Sequence, residues 1–281
     1  MTSVPMADGT GPVDLPELAG TRVVSPTERK RFADEGHVFI GGLASPPEVA
    51  AYRPALLATA EAQRWEHRPL GQRDTYGRAF LQMFNLWRHD LTVARFVLAP
   101  RFARVAAELM GVDGVRVYHD QALVKEANGG HTPWHQDQGY WPVDTDDTIT
   151  MWMPLRDVGS EMGSMNFASG SHRLGDVSAG SISDDSHESI GALLVQHGLH
   201  LVTHGAMAAG DATFHAGWTL HSAPANPTET DRPVMTVIYV ADGARVTPPT
   251  PQQELDMGWL GGRQPGELVD SELNPLVWPV P

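Results

Sequence analysis

The sequence contains no cysteine. Its absence excludes disulfide bonds, cysteine zinc sites, iron–sulfur clusters and thiol nucleophiles. Any metal site in this chain is therefore expected to use histidine and carboxylate side chains. The chain has 13 histidines from which such a site could be built.

Positive charge is also scarce, because 20 lysine and arginine residues face 34 acidic ones and give a formal charge of -14. Such a chain gains no affinity for nucleic acid from counterion release, and anionic lipid repels it. No apolar run approaches the length that spans a bilayer. The start, MTSVPMADGTGPVDLP, lacks the cationic and apolar regions of a secretory signal. We therefore expect a cytoplasmic protein without nucleic-acid or membrane partners, whose oligomeric state the sequence leaves open.

The first part of the chain has local signals for helices. Residues 1–22 are rich in Gly, Pro and Asp and are predicted to form a loose tail. In SPTERKRFADEG, Ser25 and Glu28 form a capping box and Gly36 can end the helix. A short strand, HVFI, follows, and SPPE begins a second helix that runs toward Gln63. A third helical stretch is predicted over residues 93–110, with an interruption at the proline within it.

Residues 112–246 have the pattern of a β protein. Short β-type runs such as VRVYHD, TITMWMPL and VMTVIYVAD alternate with turn clusters such as NGGHTP and GSEMGS. Many short strands at regular spacing predict a sandwich or barrel. We therefore predict one domain over residues 23–281, with a helical part to residue 111, a β core to residue 246 and an irregular C-terminal tail.

The stretch TPWHQDQGYW contains a possible pair of metal ligands, His135 and Asp137. On a strand, residues i and i+2 share a face, so Gln136 is expected to point away. With His221 as third ligand, the set would match the two-histidine, one-carboxylate sites of non-heme iron oxygenases. From these residues alone, the pair could also be an ordinary polar edge or a hydrogen-bonded structural pair.

Arg232 lies eleven residues after His221, at the start of the strand PVMTVIYV. A guanidinium can bind a carboxylate through two hydrogen bonds, and a lone arginine on an inward strand face is costly without an anion. The alternative is a salt bridge to Asp231 or to a surface acid.

Taken together, these motifs resemble the phytanoyl-CoA dioxygenase-like family of Fe(II)- and 2-oxoglutarate-dependent oxygenases. The resemblance covers about residues 27–245 and rests on the following segments: LVKEANGGHTPWHQDQGYW, MWMPLRDVGSEMGSMNFASGSH, GDATFHAGWTLHSA and DRPVMTVIYVADG. It implies a mainly β fold with flanking α-helices, built on a double-stranded β-helix (a jelly-roll, cupin-like core). It also implies a dioxygenase that hydroxylates or otherwise oxidises a C–H bond of a small organic substrate, with O2 as co-substrate and release of succinate and carbon dioxide.

The resemblance assigns Fe(II) to His135, Asp137 and His221, and the distal carboxylate of 2-oxoglutarate to Arg232. Further positions expected to seat the co-substrate are Gln121, Lys125, Trp152 and Ser222. Trp152 could equally be core packing, and Lys125 a solvated charge at a strand end. Relatives often carry a hydroxyl two positions after the distal histidine, where this chain has Ala223. Ser222, Thr236 or water could replace that contact, or it could be missing.

Asp137 also bears on the chemistry, because halogenating relatives have a small residue at that position; its presence favours hydroxylation or a related oxidation. No catalytic residue is predicted beyond the metal ligands. The substrate is expected to contact Gln138, Tyr140 and Trp141, and also Asn85 and Trp87 in LQMFNLW, although FNLW could instead pack against the core. Two other functions stay open: a cupin-like metalloenzyme that does not use 2-oxoglutarate, and a non-catalytic jelly-roll binding protein.

Overall fold

The computed structural model describes residues 15–177 and 180–280. The helices are α1 (Pro26–Glu35), α2 (Pro46–Ala62), α3 (Thr75–Ala79), α4 (Leu91–Val97), α5 (Pro100–Met110) and α6 (Asp184–Gln196). The strands are β1 (His37–Ile40), β2 (Leu81–Phe84), β3 (Val115–Lys125), β4 (Thr132–His135), β5 (Thr148–Pro154), β6 (Asn166–Ala168), β7 (Leu201–Thr203), β8 (Ala212–Ala216), β9 (His221–Ala223), β10 (Arg232–Ala241) and β11 (Leu276–Trp278). Within these ranges, no helix has the length and apolar character needed to cross a membrane.

The first two predicted helices begin directly after the capping residues that the sequence indicates. Ser25 accepts a hydrogen bond from the backbone of Glu28 and completes the capping box of α1, and Gly36 ends the helix in the left-handed region. An equivalent capping box begins α2. The third helical stretch is two helices, because Pro100 cannot continue α4 and instead occupies the first turn of α5.

Residues 15–22 are packed against the helices, in contrast with the loose tail expected from their composition. Leu18 is 4% exposed and belongs to the main hydrophobic core. The hydroxyl of Tyr52 donates to the carbonyl of Pro16 at 2.7 Å, and Arg101 donates to the carbonyl of Gly20 at 3.1 Å. Residues 1–14 of the predicted tail lie outside the described residues.

The larger of two sheets has seven strands in the order β1-β8-β5-β10-β3-β11, with β2 also paired to β3. The predicted run VRVYHD is the first part of a longer continuous strand, β3. Along one edge β3 pairs with β10; along the other it pairs with β2 near its end and with β11 near its start. All but the last residue of β10 are buried, so this strand runs through the middle of the core.

The smaller sheet has the order β4-β9-β6-β7 and packs face to face on the larger one. The rings of His221 on β9 and His215 on β8 lie 4.4 Å apart, centre to centre, across the gap between the sheets. Two facing antiparallel sheets with helices packed outside form the double-stranded β-helix core that the resemblance implied. The prediction of the fold class is confirmed.

The C-terminal part is more ordered than predicted. Residues after Thr247 were expected to be irregular, but Leu276–Trp278 form β11, and a short 3-10 helix spans Asp256–Leu260. Leu260 and Val277 are buried. The sequence signal is weak here because neither element is long enough to show a hydrophobic period.

Replacing Leu18 with Ala tests whether residues 15–22 are part of the folded core. Removing a buried leucine side chain should lower the free energy of unfolding by about 2–5 kcal/mol. Val23→Ala is the control, because Val23 is 59% exposed and its truncation should change stability little. Chemical denaturation of both variants measures the difference, and equal stabilities would contradict the packing of this segment.

Candidate metal centre

The two histidines of the predicted ligand set are direct neighbours across the smaller sheet. β4 and β9 pair so that His135 lies opposite His221, with an irregularity between Thr132 and His135. The Nε2 atom of each histidine lies 3.6 Å from Oδ1 of Asp137. One ligand atom from each of the three residues lies within 4.8 Å of the others. A single ion can therefore contact all three side chains.

Asp137 reaches this position from a turn, and not from a strand as the sequence analysis assumed. β4 ends at His135, and Asp137 has helical backbone angles (φ -68, ψ -40) at the start of a 3-10 helix. Gln136 is buried, and its side chain donates to the carbonyls of Gly175 and Trp218. These two bonds fix the bend of the chain after His135, so the two ligands converge although they share no strand face.

Both imidazoles are oriented by their second nitrogen. Nδ1 of His135 bonds the carbonyl of Pro133 at 2.8 Å, and Nδ1 of His221 bonds the carbonyl of Thr219 at 2.9 Å. A carbonyl oxygen only accepts hydrogen bonds, so Nδ1 carries the hydrogen and donates it, and Nε2 keeps its lone pair for a metal. Burial lowers the pKa of both histidines to about 4, which keeps the rings neutral near pH 7.

The second oxygen of Asp137 is held by two residues that the sequence analysis missed, Thr150 and His215. The hydroxyl of Thr150 donates to Oδ2 at 2.9 Å, and Nε2 of His215 does so at 3.1 Å. Burial alone would raise the pKa of Asp137, but His221 and His215 outweigh it and keep that pKa below its usual range. The available signal was that His215 lies on a strand in the same short segment as His221.

The donor set fits a divalent iron ion. Two neutral imidazole nitrogens and one ionised carboxylate are ligands that Fe(II) accepts, and three ligands leave further coordination positions for other molecules. The carboxylate compensates part of the charge of the ion in a buried place where an unpaired charge is costly.

A cation lies in the same cavity as these ligands. Arg232 is 2% exposed and lines that cavity, and burial lowers its pKa to about 9. One guanidinium nitrogen donates to the carbonyl of Gly163, and the ring of Trp152 lies 5.1 Å from the guanidinium carbon. Among the described residues, its Nε has no hydrogen-bond partner and no carboxylate pairs with it. The alternative of a salt bridge to Asp231 is therefore not what the structure shows.

Lys125 lies behind this arginine and does not line the cavity. Its ammonium donates to the carbonyl of Gly130 at 2.5 Å and to the hydroxyl of Thr132 at 3.4 Å. Burial and the charge of Arg232 lower the pKa of Lys125 to about 7. It is not the solvated charge considered as an alternative, because it is fully buried.

Gly163, in the turn before β6, holds Lys125 and Arg232 close together. Its φ of +76° favours glycine, and a Cβ there would lie 2.7 Å from the carbonyl of Pro224 and 2.9 Å from the stem of Lys125. This close approach accounts for the glycine that begins GSMNF, the segment leading into β6.

The other residues predicted for the co-substrate lie around Arg232. The cavity is lined by Gln121, Trp152 and Ser222, and also by Ala223 and Thr236. The hydroxyl of Thr236 donates to the backbone carbonyl of Gln121 at 3.3 Å. Ser222 and Thr236 are thus both within the cavity and could supply the hydroxyl contact that Ala223 lacks.

The residues predicted for the substrate divide into two groups. Tyr140 and Trp141 line the cavity. Gln138 does not, because its side chain is turned to Thr148 and to the carbonyl of Thr145. The structure likewise corrects the expectation for Asn85 and Trp87.

Asn85 has left-handed backbone angles (φ 51) that end β2, and Trp87 packs against the main core. Gln82 and Phe84 on the alternate positions of β2 line the cavity in their place. A strict two-residue alternation along LQMF could have identified them.

The sequence matches the model of one protein family, "Phytanoyl-CoA dioxygenase (PhyH)", over residues 32–234. The chain belongs to this family. No curated protein matches the chain.

Solved structures similar to the chain include one with both iron and α-ketoglutarate bound. The carbocyclase SnoK from nogalamycin biosynthesis, described as non-heme and α-ketoglutarate dependent, is 25% identical, with a TM-score of 0.74 over 92% of this chain and 99% of that one. The epimerase SnoN, solved with Fe3+, α-ketoglutarate and nogalamycin RO, is 25% identical, with a TM-score of 0.73 over 89% and 97% of the two chains. EctD from S. alaskensis with bound Fe is 20% identical and has a TM-score of 0.63 over 84% and 85%, which shows the shared fold alone.

The chain is therefore a non-heme iron oxygenase whose cofactors are iron and 2-oxoglutarate. Membership in the family decides against the two other functions left open by the sequence, a metalloenzyme without 2-oxoglutarate and a non-catalytic binding protein.

Replacing Thr150 with Val tests the support of Asp137. The change removes one hydrogen bond to Oδ2 without changing the shape of the side chain, and loss of such a partner typically weakens metal affinity by about 10–100-fold. Thr213→Val is a matched control on the neighbouring strand, because the buried hydroxyl of Thr213 has no partner among the described residues. Isothermal titration calorimetry with Fe(II) under nitrogen measures the metal affinity of the two variants. Equal affinities would contradict the role of Thr150.

The pKa of Lys125 predicts a pH dependence of 2-oxoglutarate binding. A dianion bound near the ammonium favours the protonated form, so binding takes up a proton above pH about 7. The affinity should then fall as the pH rises through 7, by at most about tenfold per pH unit. Lys125→Met should flatten this slope, whereas Lys30→Met should keep it because Lys30 is exposed. A pH-independent Kd in the unmodified protein would contradict this prediction.

Proposed function

We propose that the protein hydroxylates a C–H bond of a small organic substrate, with release of succinate and carbon dioxide. In this proposal His135, Asp137 and His221 hold the iron, and Arg232 binds the distal carboxylate of 2-oxoglutarate. Residues 23–281 act as one domain. When bound, the iron would let O2 act as the oxidant, with one oxygen atom going to 2-oxoglutarate to give succinate and carbon dioxide and the other going to the substrate as a hydroxyl group.

The unpaired guanidinium of Arg232 is the observation that carries the proposal. A buried arginine without a carboxylate partner is unfavourable unless an anion meets it. Arg232 lines the same cavity as the three metal ligands, so one molecule can reach both. A small dicarboxylate with a metal-chelating end fits this arrangement.

The chain's own residues fix the geometry of the metal ligands and of Arg232. Thr150 and His215 hold one oxygen of Asp137, which leaves the other for the metal. The carbonyls of Pro133 and Thr219 fix the two imidazoles. The ring of Trp152 covers the guanidinium of Arg232 and limits its movement. A preorganised site of this kind orients the reactants and suppresses side reactions.

Two structural relatives, a carbocyclase and an epimerase from nogalamycin biosynthesis, favour a second outcome at the same site. Hydroxylation, ring closure and epimerisation all begin at a substrate C–H bond, so the same metal centre serves each. The mass of the product distinguishes them: hydroxylation adds one oxygen, ring closure removes two hydrogens and epimerisation leaves the mass unchanged. The presence of Asp137 favours hydroxylation or a related oxidation over halogenation, and the product mass decides among the three outcomes.

Replacing Arg232 with Lys tests the assignment of the co-substrate. The variant keeps a positive charge but loses the bidentate hydrogen bonding between the guanidinium and the carboxylate. The affinity for 2-oxoglutarate should therefore fall roughly 10–100-fold, as expected for the loss of one or two charged hydrogen bonds. The measurement is the visible absorption band of the Fe(II)–2-oxoglutarate chelate under nitrogen, followed by succinate formation in air.

Arg156→Lys is the control, because Arg156 lies nearby at the surface and donates to the carbonyl of Asp231. It should leave the chelate band unchanged. If Arg232→Lys binds 2-oxoglutarate as tightly as Arg156→Lys, the proposed co-substrate site is wrong.

A further inference from the structure

The end of the cavity away from Arg232 is the candidate substrate end. It is lined mainly by aromatic and aliphatic side chains, among them Tyr76, Phe80, Phe84, Tyr140, Trp141 and Leu255. The whole cavity has a volume of about 500 Å³, which accommodates 2-oxoglutarate and part of a drug-sized molecule. The walls therefore suit a substrate with a flat, apolar body.

The charges along this cavity are asymmetric. Within the described ranges, Arg232 is the only lysine or arginine that lines it, whereas three carboxylates do so: Asp74, Asp137 and Asp256. Asp137 belongs to the metal centre. Asp74 is exposed and accepts a hydrogen bond from the backbone of Gly77 at the start of α3. Asp256 has neither of these roles.

Asp256 is a partly buried carboxylate without a cation. No salt bridge joins it to another residue of the described chain, and the side chain of Trp259 is the one polar neighbour that favours its ionised form. Burial, together with the charge of Asp137, raises its pKa to about 7. Asp256 lines the cavity together with Tyr76 and Tyr140, and its charge adds to the burial that raises the pKa of both tyrosines.

A structural role in its own helix does not account for this carboxylate. Asp256 begins a five-residue 3-10 helix, but no described backbone N–H donates to its side chain, and its own N–H bonds the carbonyl of Gln253. A carboxylate whose only role was to stabilise the start of the helix would be more stable in solvent than on the wall of a cavity. Its place on an apolar wall is unfavourable until a positive group meets it.

His119 on β3 is an independent observation on the same wall. It is 1% exposed, lines the cavity, and its Nδ1 has no hydrogen-bond partner among the described residues. Its ring lies 5.9 Å from that of Trp259 and 5.7 Å from that of Phe84. Burial keeps the ring neutral by lowering its pKa to about 4. The wall thus offers a carboxylate, a neutral imidazole and aromatic rings, a combination that suits a hydrogen-bond donor with a positive charge.

We propose that Asp256, together with His119 of the same cavity lining, binds a protonated amine on the substrate, so that the substrate is an apolar, ring-containing molecule with an ammonium group. This inference rests on the proposed function, because it takes the cavity beside the metal centre as the substrate site. It names Asp256 as the residue that selects cationic over neutral or anionic substrates. Asp256 lies after residue 234, where the match to the family model ends.

The test compares three probes that share one ring system and differ in charge: 2-(2-naphthyl)ethylammonium, its N-acetyl amide and 3-(2-naphthyl)propanoate. Binding is followed at pH 8 by quenching of tryptophan fluorescence, because Trp141 and Trp152 line the cavity. It is measured once with metal-free protein and once with Fe(II) and 2-oxoglutarate under nitrogen. The ammonium probe should bind at least about tenfold more tightly than the other two, in line with the effect of a desolvated charge pair.

Asp256→Asn should remove this preference, and His119→Phe should weaken binding of the ammonium probe by a smaller factor. Glu254→Gln is the control, because Glu254 is an exposed acid two residues away that does not line the cavity. It should keep the preference of the unmodified protein. Equal binding of the three probes, a preference for the anion, or an unchanged preference in Asp256→Asn would each overturn the proposal.

The Fe(II)–2-oxoglutarate absorption band separates this proposal from the proposed function. The band should be normal in Asp256→Asn, since the amine site is distinct from the co-substrate site. A missing band in the unmodified protein would count against the proposed function, while the comparison in metal-free protein would still decide the amine site. If Asp256→Asn does not fold, as judged by its thermal melt, the preference of the unmodified protein alone decides, and failure of the ammonium probe to bind overturns the proposal.

Discussion

The carboxylate of Asp137 joins the two sheets of the molecule, and the site depends on how it is held. The residue leaves the smaller sheet at a turn, while its Oδ2 accepts hydrogen bonds from Thr150 and His215 on the larger sheet. A buried carboxylate is costly unless hydrogen bonds and charges compensate it. Two donors on one oxygen supply part of that compensation, and a cation bound between the other oxygen and the two imidazoles would supply the rest. The same contacts therefore fix the sheet spacing and position the ligand.

Electrostatics divides the cavity into two ends. Arg232 and the nearby Lys125 leave one end with excess positive charge, whereas Asp256 leaves the other with an unpaired negative charge. The metal ligands line the same cavity. Because, among the described residues, neither Arg232 nor Asp256 has a charged partner, the arrangement suits an anion and a cation bound at the same time. A bound anion at the first end and a cation at the second would relieve both desolvation costs.

Local signals determined how much of the molecule the sequence could predict. Ser25, Glu28 and Gly36 act within one helix, so the boundaries of α1 follow directly from their spacing. The turn at Asp137 depends on bonds from Gln136 to residues 39 and 82 positions away, which no local pattern contains. The ligand set was accessible because its spacing is a family motif. His215, Asp256 and the packing of Leu18 were not, because each depends on contacts between distant segments.

The position of the C-terminal segment bears on how enzymes of this fold can diverge. β11 anchors the C-terminal segment to the sheet, while the stretch before it supplies Leu255 and Asp256 to the cavity. This stretch begins after the metal ligands and Arg232 have been placed by other strands. Mutations there can alter which molecules are accepted without disturbing the oxidising machinery. The C-terminal segment is thus a natural place for divergence among enzymes that share one reaction core.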